Sequence, residues 1–439
     1  VVTTTDCPIR SKPLGAFKMT TKSHRRLQAA LVVVFLWTVL LTLNGVQRGA
    51  GLISSTTDSQ NNDVPLLLRS TRLLDPSKSQ PREGTEPMNI VLLYADDWSY
   101  NTLGAMGNTY VKTPVLDQLA AEGTLFTHNC VVASICMQSR ATLYTGQYSS
   151  RHKTHFAYRN VTMYEDERWN KTLYPLMMRK EYHVGFFGKY HHTSPPKHVP
   201  LFSKSRFTKF SHYVKVDGIE KHVTQSNEDD ALDFLATRAH DKPFFLTVSF
   251  FATHAEDGGR EKYRPMNSSM SLYQDEPVPV PKTLTQEHWE ALPHFFDDRN
   301  YGRARFRGRY DKPETFQKMM KNTYRMATEV DTSIGRILEK LDEQGVRNNT
   351  MIIFTTDNGN FHGQHGLAEK WYAYEESLRV PLIVYDPRMP EDRIGTNSSE
   401  FTLNIDLAPT ILSAAGVTPP NVMQGRDMAQ LYLDPNVAW

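Results

Sequence analysis

Cys136 is followed by Ser139 at +3 and Arg140 at +4, and it opens the helix-prone run Ala141-Thr142-Leu143-Tyr144-Thr145-Gly146. That spacing places a sulfur at a helix N-terminus, where backbone N–H groups and an arginine both favour an anion. Asp96-Asp97 and Asp357-Asn358 each close an apolar run. Oxygen donors of this kind suit Ca2+ or Mg2+, and suit zinc poorly when no His or thiolate joins them. Lys189 and His191 follow Val184–Phe187, His254 follows Phe244–Phe251, and Lys370 lies beyond the Asp357 segment. An oxygen-bound cation ringed by Lys, Arg and His is a site for a small dense anion such as sulfate or phosphate.

Each of these residues also has a plainer reading. A lone cysteine is often a small buried hydrophobe, and Cys130 and Cys136 could pair as a disulfide. Asp96-Asp97 could cap a helix, Asp357-Asn358-Gly359 is a good turn sequence, and the lysines and histidines could be solvated or satisfied in the core. What sets these readings back is the joint placement at successive strand ends, where open α/β sheets carry their ligands.

The elements that must position them alternate between short apolar runs and helical periodicity. Asn89–Ala95 reads as a buried parallel strand, followed by a short helix over Leu116–Gly123. Helices near Leu173–Glu181 and Glu228–Arg238 feed strands at Val184–Phe187 and Phe244–Phe251. A long helix from about Pro313 to Leu341 carries Met320, Tyr324, Ala327, Val330, Ile334, Ile337 and Leu341 at helical spacing. It feeds a strand at Met351–Thr356, after which come a strand over Val380–Tyr385 and a helix over Ile405–Ala415. The pattern predicts an α/β fold with a mostly parallel central sheet sandwiched by helices. Residues 255–312 read as irregular. Arg299, Arg303, Arg305, Arg307 and Arg309 cluster there, either as a solvated loop or as a grip on further anionic groups of a polymer.

At 439 residues, with 39% hydrophobic residues and a net charge of +2, the chain is an ordinary globular protein without a nucleic-acid footprint. Residues 1–26 form a basic N-terminal segment, and residues 27–45 read as a signal peptide or a type II membrane anchor. Residues 46–87 read as a linker and 88–439 as the catalytic domain. Sequons at Asn160, Asn170, Asn267, Asn348 and Asn397 agree with a secretory route to a secreted, lysosomal or membrane-anchored location. A membrane contact is expected only through that N-terminal segment.

Cys136-Met137-Gln138-Ser139-Arg140 resembles the signature of the type I, formylglycine-dependent sulfatases of the alkaline phosphatase superfamily. Asp96-Asp97 looks like that family's metal pair, and Gly188-Lys189-Tyr190-His191 is similar to its second signature. Asp357-Asn358-Gly359, His365-Gly366-Leu367, Lys370-Trp371-Tyr372 and Tyr374–Pro381 look like its later segment. The resemblance runs from about Asn89 to Leu433 and departs at Gln138, where the family carries Pro or Ala. It implies an alkaline phosphatase-like fold whose small C-terminal subdomain is truncated here.

By resemblance, a formylglycine-generating enzyme converts Cys136, and one Ca2+ is held by Asp96, Asp97, residue 136, Asp357 and Asn358. The hydrated aldehyde attacks sulfur after Asp357 accepts a proton. His254 and Lys370 serve the leaving alcohol, His191 deprotonates the second hydroxyl to expel sulfate, and Arg140 and Lys189 steady the charged oxygens. His192 and His365 are taken as neighbours of the site. The implied substrate is a sulfated glycan or an aryl sulfate. A phosphomonoesterase or phosphonate hydrolase, or a glycan binder with unconverted Cys136, remain the alternatives.

Overall fold

The structure, a computed structural model, describes residues 87–154, 169–190, 200–208, 210–434 and 439. The N-terminal segment, the stretch at 27–45, most of the linker, Asn160, His191 and His192 lie outside the described residues. Among the described residues no helix is long and apolar enough to cross a membrane.

Eight strands build the main sheet: β1 (Asn89–Ala95), β2 (Thr124–Phe126), β3 (His183–Gly188), β4 (Lys204–Phe207), β5 (Phe244–Ser249), β6 (Thr350–Thr356), β7 (Leu382–Tyr385) and β8 (Thr396–Ser398). Their order across the sheet is β8-β2-β7-β6-β1-β5-β3-β4. β1, β3, β4, β5 and β6 run parallel. β7 is antiparallel to both of its neighbours.

The central strand is buried at every residue, as its unbroken apolar run requires once helices cover both faces. Its alternation shows the two faces. Ile90, Leu92 and Tyr94 join one core cluster, while Val91, Leu93 and Ala95 join the other. The first core is completed by α2 (Cys136–Thr145), α3 (Leu173–Arg179) and α7 (Leu407–Ala414). The second is completed by α1 (Pro114–Glu122), α4 (Val223–Thr237) and the long α6 (Pro313–Glu343). Fully burying each such large apolar side chain contributes about 1.5–3 kcal/mol. The observed elements match the expected ones to within about two residues at their ends, except that α4 begins at Val223, five residues before the expected Glu228.

Two expectations change. Cys130 and Cys136 are both free thiols, so no disulfide joins them. Four of the five arginines are not in a loop: Tyr301–Arg309 forms a helix, α5, whose cap Asn300 accepts a hydrogen bond from Arg303 N at 3.1 Å, while exposed Arg299 precedes it. Arginine has good intrinsic helix propensity, and a capped start lets that propensity act despite Gly302 and Gly308 within the helix. Asn170, Asn267, Asn348 and Asn397 are exposed.

Candidate active site

Four ends of parallel strands and one helix start meet on one edge of the sheet. β1 ends into Asp96 and Asp97, β3 into Lys189, β5 leads through Phe250–Thr253 to His254, and β6 ends into Asp357 and Asn358. Close backbone approach makes these turns possible. A Cβ at Gly188 would lie 1.9 Å from the Ser249 carbonyl oxygen, and one at Gly359 would lie 2.1 Å from that of Glu376. Gly188 also has φ +113°, which side chains rarely adopt. Asp97 itself sits at φ 62°, an uncommon conformation held here by its surroundings.

Donor atoms of Asp96, Asp97, Cys136 and His254 all lie within 4.8 Å of one another. Cys136 is the first residue of α2, as the spacing predicts. Arg140, fully buried one turn on, donates Nε to Asp357 Oδ2 at 2.8 Å and Nη1 to the Lys189 carbonyl at 2.8 Å and to Ser249 Oγ at 2.6 Å. Lys189 Nζ pairs with Asp96 Oδ2, and Lys370 Nζ pairs with Asp97 Oδ1. Asn358 Nδ2 also donates to Asp97 Oδ1, at 2.6 Å. Asp357 Oδ1 accepts from Asp97 N at 3.3 Å, and its carboxylate, braced by Arg140, is near enough to Asp96 and Cys136 for its charge to act on both.

Charge and burial pull these groups in different directions. Burial, then the neighbouring Asp357, pushes Asp96 up to about 8. Asp97 is held below the usual carboxylate range by Lys370 and Lys189, which outweigh its burial. The Lys370 ammonium is pushed up despite its burial, chiefly by Asp97. Burial, with the charges of Lys370 and Lys189, drives His254 well below the ordinary histidine value. His254 Nδ1–H donates to the Ala255 carbonyl at 2.7 Å, so a neutral ring turns its Nε2 lone pair toward Asp97 Oδ2, 3.9 Å away. The Cys136 thiol is pushed up to about 12 by burial, against the lowering influence of Lys189 and Lys370.

The donor set fits a hard divalent cation. Asp96 Oδ1, Asp97 Oδ2 and Asn358 Oδ1 are buried without a hydrogen-bond partner, and such oxygens cost free energy unless something charged or polar meets them. Asp96, Asp97, Asp357, Asn358 and residue 136 would hold the cation, and His254 Nε2 lies beside the donors of Asp96, Asp97 and residue 136. Nitrogen at that position was not expected, because His254 reads in sequence only as a group for the leaving alcohol.

The sulfatase family model matches residues 88–417. This chain belongs to the sulfatase family. An N-acetylglucosamine-6-O-sulfatase of Bacteroides thetaiotaomicron is 26% identical over 84% of this chain and 75% of its own length. An arylsulfatase of Clostridium perfringens is 27% identical over 80% of this chain and 79% of its own length. A solved complex of a protein with its substrate D-glucosamine-2-N,6-O-disulfate matches with a TM-score of 0.65 at 24% identity, covering 80% of this sulfatase and 81% of that chain. The enzyme is thus a sulfuric ester hydrolase on an alkaline phosphatase-like α/β scaffold.

Sequence reasoning missed several residues of this sulfatase's site. Ser249 Oγ donates to the Lys189 carbonyl at 2.8 Å and accepts from Arg140. Its position as the last residue of β5 is the signal that could have found it. Buried His212 sets its Nε2–H on the His254 carbonyl at 2.9 Å, and nothing in its sequence context marks it. His365, taken as a neighbour, lies against Tyr374 with Glu376 Oε1 3.4 Å from its Nε2. Gln138 is buried, and its Oε1 has no hydrogen-bond partner.

Proposed function

We propose that this sulfatase releases sulfate from a sulfated carbohydrate or aryl sulfate, with Cys136 converted to formylglycine and Ca2+ as the cation. The observation that carries the reading is the environment of Cys136. An unconverted thiol pushed up to about 12 stays protonated at neutral pH and is a poor nucleophile. Yet it stands at the helix start, among the donor atoms of Asp96, Asp97 and His254. The named activities of the relatives, on N-acetylglucosamine 6-O-sulfate and aryl sulfates, support sulfate esters over phosphate esters.

Formylglycine at 136, hydrated, would supply two hydroxyls: one to attack sulfur as the S–O bond to the alcohol breaks, and a second whose deprotonation would expel sulfate and restore the aldehyde. Bound Ca2+ supplies charge that favours the hydroxylate and the anionic sulfuryl group. The chain's own groups do the rest. Asp357, fixed by Arg140 and the Asp97 N–H, accepts the hydroxyl proton. Lys189 and Arg140 place positive charge around Asp96 and the reacting oxygens. Lys370, kept protonated by Asp97, offers an N–H to the leaving alcohol oxygen. His254, its Nδ1–H held by the Ala255 carbonyl, would serve the leaving alcohol through Nε2. His191 keeps its assignment as base for the second hydroxyl. A formylglycine-generating enzyme in the secretory pathway would act before folding, because Cys136 and Gln138 are both buried afterwards.

Peptide mass spectrometry across residues 136–140 of native material tests the conversion. The expected product is an aldehyde in place of the thiol, and an intact thiol in all of the protein sinks the mechanism. Matched aryl sulfate and aryl phosphate separate the ester classes. The expected kcat/KM favours sulfate by at least about tenfold, and a preference for phosphate overturns the reading.

A further inference from the structure

Helix geometry divides the arginines of α5 into two sets. Arg303 and Arg307 share one face, and Arg305 and Arg309 share another, each pair four residues apart. Arg307 pairs with exposed Asp298. Arg303 is buried, lies over the Trp289 ring at 4.1 Å and donates to the Gly366 carbonyl at 3.1 Å. Those two are accounted for by packing and solvent.

Arg305 and Arg309 face two carboxylates that belong to the catalytic segments. Glu369, which meets both arginines, directly precedes Lys370, and Asp257 follows His254 by three residues. The arginine pair therefore bridges the chain segments assigned to the leaving alcohol. The two acids are unlike each other. Glu369 is 4% exposed and fixed between the guanidinium groups, whereas Asp257 is 56% exposed. Arg309, 3% exposed, keeps one buried amine, Nη2, without a hydrogen bond, with Asp257 Oδ1 3.7 Å away. Arg305 lies over the Tyr301 ring at 4.7 Å, and Tyr301 packs on Trp371, next to Lys370. Asp257 Oδ1 is hydrogen-bonded to Arg305 Nη1 but stops 3.7 Å short of Arg309 Nη2. The exposed carboxylate therefore serves only one of the two arginines and leaves a buried donor unused, and an anion that reaches both would replace it.

We propose that Arg305 and Arg309 form a second anion subsite, which binds a carboxylate or sulfate on the alcohol part of the substrate and displaces Asp257. The proposal rests on the sulfatase reading for the side on which that alcohol lies. It selects substrates with a second negative group near the ester over those carrying the ester alone. Glu369 holds the arginines in place and limits the net charge of the subsite, so that it prefers an anion without trapping one.

The test uses binding, which needs no turnover. Calorimetry on the Cys136→Ala protein with Ca2+ compares two phenyl sulfates, one with a meta carboxylate and one with the uncharged carboxamide of the same shape. The carboxylate ligand should bind at least about tenfold tighter. Adding Arg305→Ala should shrink that ratio to less than about threefold, and adding Asp257→Asn should widen it by removing the internal competitor. A merely structural Asp257 would instead weaken both ligands together in Asp257→Asn, which counts against the proposal. Equal binding of the two ligands, or a ratio that survives Arg305→Ala, overturns the subsite and leaves the sulfatase reading standing. Failure of both ligands to bind overturns the subsite together with the sulfate site on which it rests.

Discussion

Arg140 shows how much one side chain can hold. It has no exposure, and its guanidinium joins Asp357, the Lys189 carbonyl and Ser249, with Asp96 Oδ2 3.8 Å from Nη2 and the Tyr94 ring 4.8 Å beneath it. Removing one partner of a buried ion pair leaves the other charge uncompensated, at a cost of about 3–5 kcal/mol. Arg140→Ala should therefore lower the unfolding free energy by that order, seen as a lower urea midpoint at unchanged slope, and abolish turnover. Arg140→Lys should fold better but lose the planar fork that reaches three partners, so its kcat should fall at least about a hundredfold. An Arg140→Ala protein with an unchanged midpoint would show that the pair carries little. The sequence made Arg140 legible, because +4 from the cysteine is one helical turn. It suggested an arginine serving the sulfur. The structure adds that the arginine chiefly orders the Asp357 carboxylate and a neighbouring strand end, which depends on residues 49, 109 and 217 positions away in the chain.

At the scale of elements, α4 begins at a residue whose titration matters. His222 is its N-cap: Nδ1 accepts from Thr224 N at 3.3 Å while Nε2–H donates to the Arg264 carbonyl at 3.1 Å. The bond from Thr224 needs the neutral ring, since a proton on Nδ1 would face the Thr224 N–H, whereas the Nε2–H bond survives protonation. Burial, then the neighbouring His212, depresses His222 to about 3. Because the folded value lies below the unfolded one near 6.5, the stability it contributes is complete above pH 6.5 and is lost as pH falls toward 3. By pH 5 the loss is about 2 kcal/mol. His222→Asn keeps a capping oxygen and does not titrate, so its stability should fall less than the parent's between pH 7 and pH 5 in thermal melts. Parallel declines in parent and variant would remove His222 from the account. The start of α4 was not legible, because Val223–Asn227 carries weak apolar periodicity and a histidine is an unusual cap. α5 was misread as a loop for a similar reason: its helical pattern lies in side-chain partners rather than in apolar spacing. By contrast, α6 and β1 were plain, since each buries an unmistakable pattern.

Over the whole molecule, the site depends on strands distant in sequence being adjacent in space, and a cation would tie their ends together. Asp96, Asp97 and Asn358 come from β1 and β6, which pair along their whole length. A ligand that binds only the folded state, held at 100 times its Kd, adds about 2.7 kcal/mol. Chelation should then lower Tm by several degrees, with Ca2+ restoring it, and loss of activity should accompany the shift. A Tm indifferent to chelator and to added Ca2+ or Mg2+ would refute a resident cation. The sequence by itself determined the alternation of strands and helices, the parallel sheet, and the residue types that close each strand. Those follow from local periodicity and from the burial that an all-apolar strand demands. It also carried the motif that marks the sulfatase family. Only the tertiary structure decided how these groups pair: Lys189 with Asp96, Lys370 with Asp97, Arg140 with Asp357, His254 with its lone pair turned inward, and Arg305 and Arg309 with Asp257 and Glu369. Pairings of this kind are set by strand order and by side-chain direction at close quarters, and neither quantity is encoded in spacing along the chain.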